Sequence, residues 1–209
     1  MRKGFIVAFA AAALLMTACS GKKEADAGKT TPAASAADNI NPANYDLNGT
    51  PVTLAGITFT PPTGWTDLGP SGMRKASYYL SPVKGETDSA TVTVFYFGPS
   101  SGGTIDANID RWIGQMSVAG GDSKAASQKY TMTVEGMPVH VVSVDGTYNA
   151  SMGGPMSGQT EAKADYTMVG VVVEAPEGNV FFKLTGPKAT AKQMTDEFLA
   201  MVKAIKKSA

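Results

Sequence analysis

The stretch YTMVGVVVEAPEGNVFFKLT, residues 166–185, decides the fold. Val169 to Val173 and Val180 to Leu184 are short apolar runs rich in β-branched and aromatic residues, which favour strands. Ala175-Pro176-Glu177-Gly178 between them is a turn, so the runs fold back on each other as a hairpin within Tyr166 to Thr185. Runs this continuous are apolar on both faces and belong at the centre of a sheet. Lys129 to Val134 and Met137 to Val144 form a second hairpin around Glu135-Gly136.

Upstream, Ile57-Thr58-Phe59-Thr60 alternates and stops at Pro61-Pro62, and Ala76 to Leu80 and Thr91 to Phe97 read as further strands. Ser81 to Ser89 is a polar loop, and Asn149 to Thr160, with three glycines and a proline, reads as a mobile loop or lid. Two helices complete the pattern. Thr104 caps one in which Ile105, Ile109, Trp112, Ile113 and Met116 share a face, with Gly120-Gly121-Asp122 ending its register. Thr190 caps the other, where Met194, Phe198, Met201, Val202 and Ile205 repeat the spacing and Lys203, Lys206 and Lys207 lie near its C-terminal dipole. The expected fold is α+β, a largely antiparallel sheet of about six or seven strands with two packed helices. No βαβ rhythm, GxGxxG or P-loop string is present, so no nucleotide-cofactor domain is expected.

The opening ITFTPPTGW (residues 57–65), with the closing strand and capped C-terminal helix, resembles the PsbP-like fold over about Val52 to Lys207. That fold is shared by a photosystem extrinsic subunit and a Ran-binding transport factor. The resemblance implies a protein-binding module and carries over no catalytic residues.

Ahead of the domain, Arg2 and Lys3 precede an apolar run, Phe5 to Met16, and small residues Thr17, Ala18 and Ser20 flank Cys19. The run falls short of the roughly 20 residues a membrane span needs. This stretch resembles a bacterial lipoprotein signal (lipobox), which implies removal of residues 1–18 and lipidation of Cys19, with Ser20 resembling the outer-membrane-sorted class. The implied location is the outer membrane, facing the periplasm. Two or more acyl chains hold a protein stably where one is reversible. Residues 19–50 are poor in large apolar side chains and read as a tether with a root-mean-square reach of roughly 30 Å, leaving residues 51–209 as one domain.

The chain carries 18 basic and 18 acidic residues, and nothing in it calls for nucleic acid. One cysteine allows no internal disulfide, and one histidine excludes the usual soft-ligand metal clusters. Three motifs remain as candidate chemistry. Gly98-Pro99-Ser100-Ser101-Gly102 matches the nucleophile elbow G-x-S-x-G and lies between a strand and a helix, with His140 as the only imidazole to activate Ser100. An elbow needs a central parallel strand, however, and turn formers before a helix cap account for this string. Met152 and Met156 could bind Cu(I) through thioethers, or form an adaptable contact for a ligand or partner. Asp106 and Asp110 share the polar face of the first helix, where the helix dipole and Arg111 explain them. Trp65 and Trp112 read as core anchors.

The preferred function is a lipid-anchored, non-enzymatic module that binds another envelope protein. A small serine hydrolase using Ser100 and His140, and a periplasmic Cu(I)-binding protein using Met152 and Met156, are the alternatives.

Overall fold

In the computed structural model, residues 37–152 and 159–208 are described. The hairpin that opens the sequence reading forms as β9 (Gln159–Ala175) and β10 (Gly178–Pro187), paired antiparallel with Val180 opposite Val173 and Leu184 opposite Val169. Alternation along these strands divides the core in two. Val169, Val171, Val173, Val180, Phe182 and Leu184 enter one cluster, and Tyr166, Met168, Val172 and Phe181 enter the other. The strands are apolar on both faces because each face is covered.

Strands β1 (Val52–Leu54), β2 (Ile57–Phe59), β3 (Thr66–Asp67), β4 (Arg74–Leu80) and β5 (Ala90–Tyr96) come first. Helix α1 (Ile105–Ile113), β6 (Met116–Ser117) and the single turn α2 (Ser123–Ala126) follow, then β7 (Gln128–Val134) and β8 (Met137–Met152). The chain closes with α3 (Lys188–Lys203) and β11 (Lys206–Lys207). The principal sheet has eight strands in the order β3-β4-β5-β10-β9-β8-β6, with β7 also paired to β8. Every pairing is antiparallel. A smaller sheet, β1-β2-β11, lies apart from it in pairing, and Phe59 meets Phe182 edge-on with centroids 5.2 Å apart. The α+β, antiparallel expectation holds, and the strands beyond six or seven are short edge pieces.

Helix α3 buries Phe198, Met201 and Val202 in the first cluster, and α1 buries Ile109, Trp112 and Ile113 in the second, so one helix serves each cluster. Thr104 caps α1 as expected, its Oγ1 accepting from the Ala107 amide at 3.2 Å. That helix stops at Gly114 and not at Gly120; Met116 is buried as part of β6, and Asp122 caps α2. Among the described residues no helix is long and apolar enough to cross a membrane.

Three further expectations are corrected. Thr190 does not cap α3, which begins at Lys188; its hydroxyl instead donates to the Glu86 carboxylate, which also accepts from the Ala189 and Thr190 amides at 2.9 Å each. A residue from the polar Ser81–Ser89 loop thus supplies the cap from across the chain. Asn149 to Thr160 is not wholly a loop, because Asn149 pairs with Ala162 and Met152 with Gln159, extending β8 and β9 into a long arm. Residues 37–50 are not simply a tether: Ala37 and Ile40 are buried in the first cluster, Tyr45 and Leu47 pack against it, and the Lys203 ammonium donates to the carbonyls of Ile40 at 2.6 Å and Ala37 at 3.1 Å. A few well-spaced apolar residues suffice to dock a polar segment.

Candidate functional site

Helix α1 has nine residues, about 14 Å of rise, too little to cover its whole side of the sheet. It seats Trp112 over Gly170, where the missing side chain admits the indole, and leaves the β4–β5–β10 end open. The result is a cleft of about 1190 Å³ walled by β4, β5 and β10, by α1, and by the β8–β9 arm.

Lys183 lies on this floor with 9% of its surface exposed. Strand alternation places it there: Phe182 and Leu184 face the α3 side, so Lys183, between Phe181 and Thr185, must face the cleft. Its Nζ donates to Gln115 Oε1 at 2.5 Å and Tyr148 Oη at 3.4 Å, and stands 4.8 Å from the centre of the Tyr148 ring. All of these partners are neutral. Burial, and then the Arg111 guanidinium, pull the Lys183 amine down to about 8.

Arg111 is held by the buried amide of Asn108. Asn108 Oδ1 accepts from Arg111 Nη2 at 2.5 Å while Nδ2 donates to the carbonyls of Gly102 at 2.6 Å and Thr104 at 2.8 Å. Arg74, at the cleft's other side, lies close enough to Tyr148 to act on it electrostatically. Among the described residues no carboxylate forms an ion pair with Arg74, Arg111 or Lys183. The one carboxylate in the lining, Asp88, is already engaged, accepting from Tyr166 Oη at 2.7 Å and Lys163 Nζ at 3.0 Å. Those two bonds hold its carboxyl below the ordinary range, and burial together with Asp88 pushes the Tyr166 hydroxyl up to about 12.

A break in strand register builds this corner. Gly146 pairs with Tyr166 but Tyr148 with Lys163, so a bulge containing Asp165 (φ 55°) intervenes and Lys163 and Tyr166 both reach the cleft despite their odd spacing. Half-buried Phe95 and Phe97, stacked at 6.1 Å, form the apolar wall, backed by the buried rings of Phe181, 5.7 Å from Phe97, and Trp112, edge-on to Phe181 at 6.3 Å.

No known family model matches the chain, and no curated protein does. Solved structures similar to it include the solution structure of cyanobacterial PsbP (CyanoP) from Synechocystis, 11% identical, with a TM-score of 0.43 over 76% of this chain and 91% of that one. A Bacteroides thetaiotaomicron protein is 10% identical, with a TM-score of 0.41 over 77% of this chain and 49% of that one. A protein of unknown function from Pseudomonas aeruginosa is 12% identical, with a TM-score of 0.32 over 74% and 94%.

The motifs singled out in the sequence are not the ones the fold brings together. Ser100 is exposed in a turn, while His140 is engaged elsewhere, its Nε2 at 2.7 Å from Glu174 Oε1 and its Nδ1 at 3.4 Å from Thr131 Oγ1. No hydrogen bond joins Ser100 to His140 among the described residues, so the pair has no geometry for general-base activation. Asp110 pairs with Lys124 at 2.9 Å and Lys129 at 3.8 Å, and not with Arg111. Cys19 and Met156 lie outside the described residues, as does the side chain of Met152. Among the described residues no group of three His, Cys, Asp or Glu is placed to hold a metal. Trp65 is buried as an anchor, its indole N–H donating to Glu197 Oε2 at 3.1 Å.

Lys183 is the residue that sequence reading missed. A lysine inside VFFKL, with apolar neighbours on both sides, was the available signal. What the cleft can do chemically follows from its charges: present un-neutralised cations beside aromatic surface, a combination suited to binding.

Proposed function

We propose that the chain is a lipid-anchored envelope protein whose α+β domain is a non-enzymatic, periplasm-facing binding module, with the cleft over Lys183 as its binding surface. Anchoring follows from the lipoprotein-like signal ending at Cys19, which would place the domain at the outer membrane. The observation that carries the binding reading is the buried Lys183 ammonium facing a cleft without a carboxylate partner, since burying a charge is costly unless something compensates it. Another envelope protein is the expected partner, reached through the rim, where Met73 is 62% and Tyr79 38% exposed.

The test has two arms. Labelling with clickable palmitate should mark the wild-type chain and not Cys19→Ala. A photo-crosslinking residue at Met73 should give one defined adduct in intact envelopes, lost when Arg74 and Arg111 are changed to glutamine, while the same probe at Lys124 gives none. Absence of the label removes the anchor, and adducts indifferent to the position of the probe remove the binding surface.

A further inference from the structure

The floor and walls of the cleft point to a chemical class of ligand. We infer that it takes a small amphipathic oxyanion, a carboxylate or phosphate head on an apolar body, with the head between Lys183 and Arg111 and the body against the half-buried rings of Phe95 and Phe97. This rests on the reading of the cleft as the binding surface.

Charge is the first ground. The whole chain balances 18 basic against 18 acidic residues, yet the cleft is lined by four cations, Arg74, Arg111, Lys163 and Lys183, and one carboxylate. That carboxylate, Asp88, is taken by Lys163 and Tyr166, which leaves three cations facing the space with no anion among the described residues. An oxyanion is what they lack, and a guanidinium fork is shaped for one.

Positioning is the second. Arg111 is fixed through Asn108, whose own amide is tied to two backbone carbonyls, and Lys183 is fixed by Gln115 and Tyr148. Side chains locked before a ligand arrives forfeit little entropy when it binds. Size and surface are the third. About 1190 Å³ slightly exceeds the usual range of small-molecule sites, and the stacked, half-buried rings of Phe95 and Phe97 give an apolar body something to pack on. A head group alone would leave that wall unused. The buried position of Lys183, at 9% exposure, also favours a small molecule over a bulky polyanion.

The experiment uses the full chain in detergent with Trp65→Phe, which leaves Trp112 as the single indole beside the cleft. Benzoate, phenyl phosphate, inorganic phosphate and benzyl alcohol are titrated against Trp112 fluorescence. Saturable binding of benzoate or phenyl phosphate is expected, and whichever is tighter identifies the head. Lys183→Met should weaken it at least tenfold and Arg111→Gln several-fold, with benzyl alcohol far weaker than either anion. Failure of both aromatic anions to bind overturns the inference. So does benzyl alcohol binding equally well, which would mean an apolar pocket, or inorganic phosphate binding as tightly as phenyl phosphate, which would mean no site for a body. Should Lys183→Met fail to fold, unchanged affinity in Arg111→Gln is decisive against it. A negative titration alongside a position-specific Met73 adduct would remove the anion and keep the binding surface; the reverse result would keep the anion and remove the protein partner.

Discussion

Trp112 of α1 sits directly on Gly170 of β9, so that a Cβ at residue 170 would run into the indole ring. This contact sets how closely the helix approaches the sheet. Gly170→Ala must push the ring away or bend the strand, and overpacking of that kind costs about 1–3 kcal/mol. A lowered thermal midpoint by circular dichroism, with Trp112 fluorescence shifted to longer wavelength, is the expected result. An unchanged midpoint would show that the helix seat is loose.

Glu86 caps α3 from a loop about a hundred residues earlier in the chain. Glu86→Ala should lower stability by about 1 kcal/mol, the usual cost of a lost helix cap. Partial burial would raise the Glu86 carboxyl, but the bonds from Thr190 and Ala189 outweigh it and hold it below its ordinary 4.5. A carboxyl depressed in the folded state contributes fully above its unfolded value and loses that contribution as pH falls through its folded one. The gap between wild type and Glu86→Ala should therefore close on acidification, which urea titrations at a series of pH values would read.

Lys183 has the opposite sign. Its folded value, about 8, lies below the ordinary 10.5, so between those values the unfolded chain holds a proton that the folded chain has released, and stability rises with pH across that window. Lys183→Met should abolish this rise and stabilise the domain at neutral pH by roughly 1–3 kcal/mol, since a buried charge is exchanged for an apolar chain of similar length. Reductive ¹³C-methylation followed by NMR should find one lysine titrating near 8, and a titration with every lysine above 10 would contradict the burial.

Tyr78 carries a hydroxyl that is buried without a hydrogen-bond partner among the described residues. Burial pushes that hydroxyl up to about 12, as expected for a group cut off from water. Removing an unsatisfied buried group while keeping the ring that packs on Trp65 should cost nothing and can gain up to about 1 kcal/mol. Tyr78→Phe is expected to melt at or above the wild-type temperature, and a clear loss of stability would mean the hydroxyl is bonded in solution.

The sheet was legible because its signals are local. Val169 to Val173 and Val180 to Leu184 state their own strands, Glu135-Gly136 states its turn, and Thr104 caps its helix where a cap was expected. What could not be read depends on distant partners. Thr190 looked like a cap because the sequence does not display Glu86 beside it, and Asn149 to Thr160 looked like a loop because its glycines hide a strand that pairing with residues 159–162 creates. The cleft is assembled from five strands and a helix, so its charges meet only in space. Lys183 alone betrayed it, as one cation inside an otherwise apolar central strand.

Lys203 clasps the carbonyls of Ala37, Asp38 and Ile40 at the end of α3. A pull applied at Ala37 is therefore met by this clasp, near the β2–β11 pair, and loads the end of the last helix before any strand of the large sheet. The point where a pull at Ala37 enters the domain is in this way kept apart from the cleft, whose walls are built from other elements.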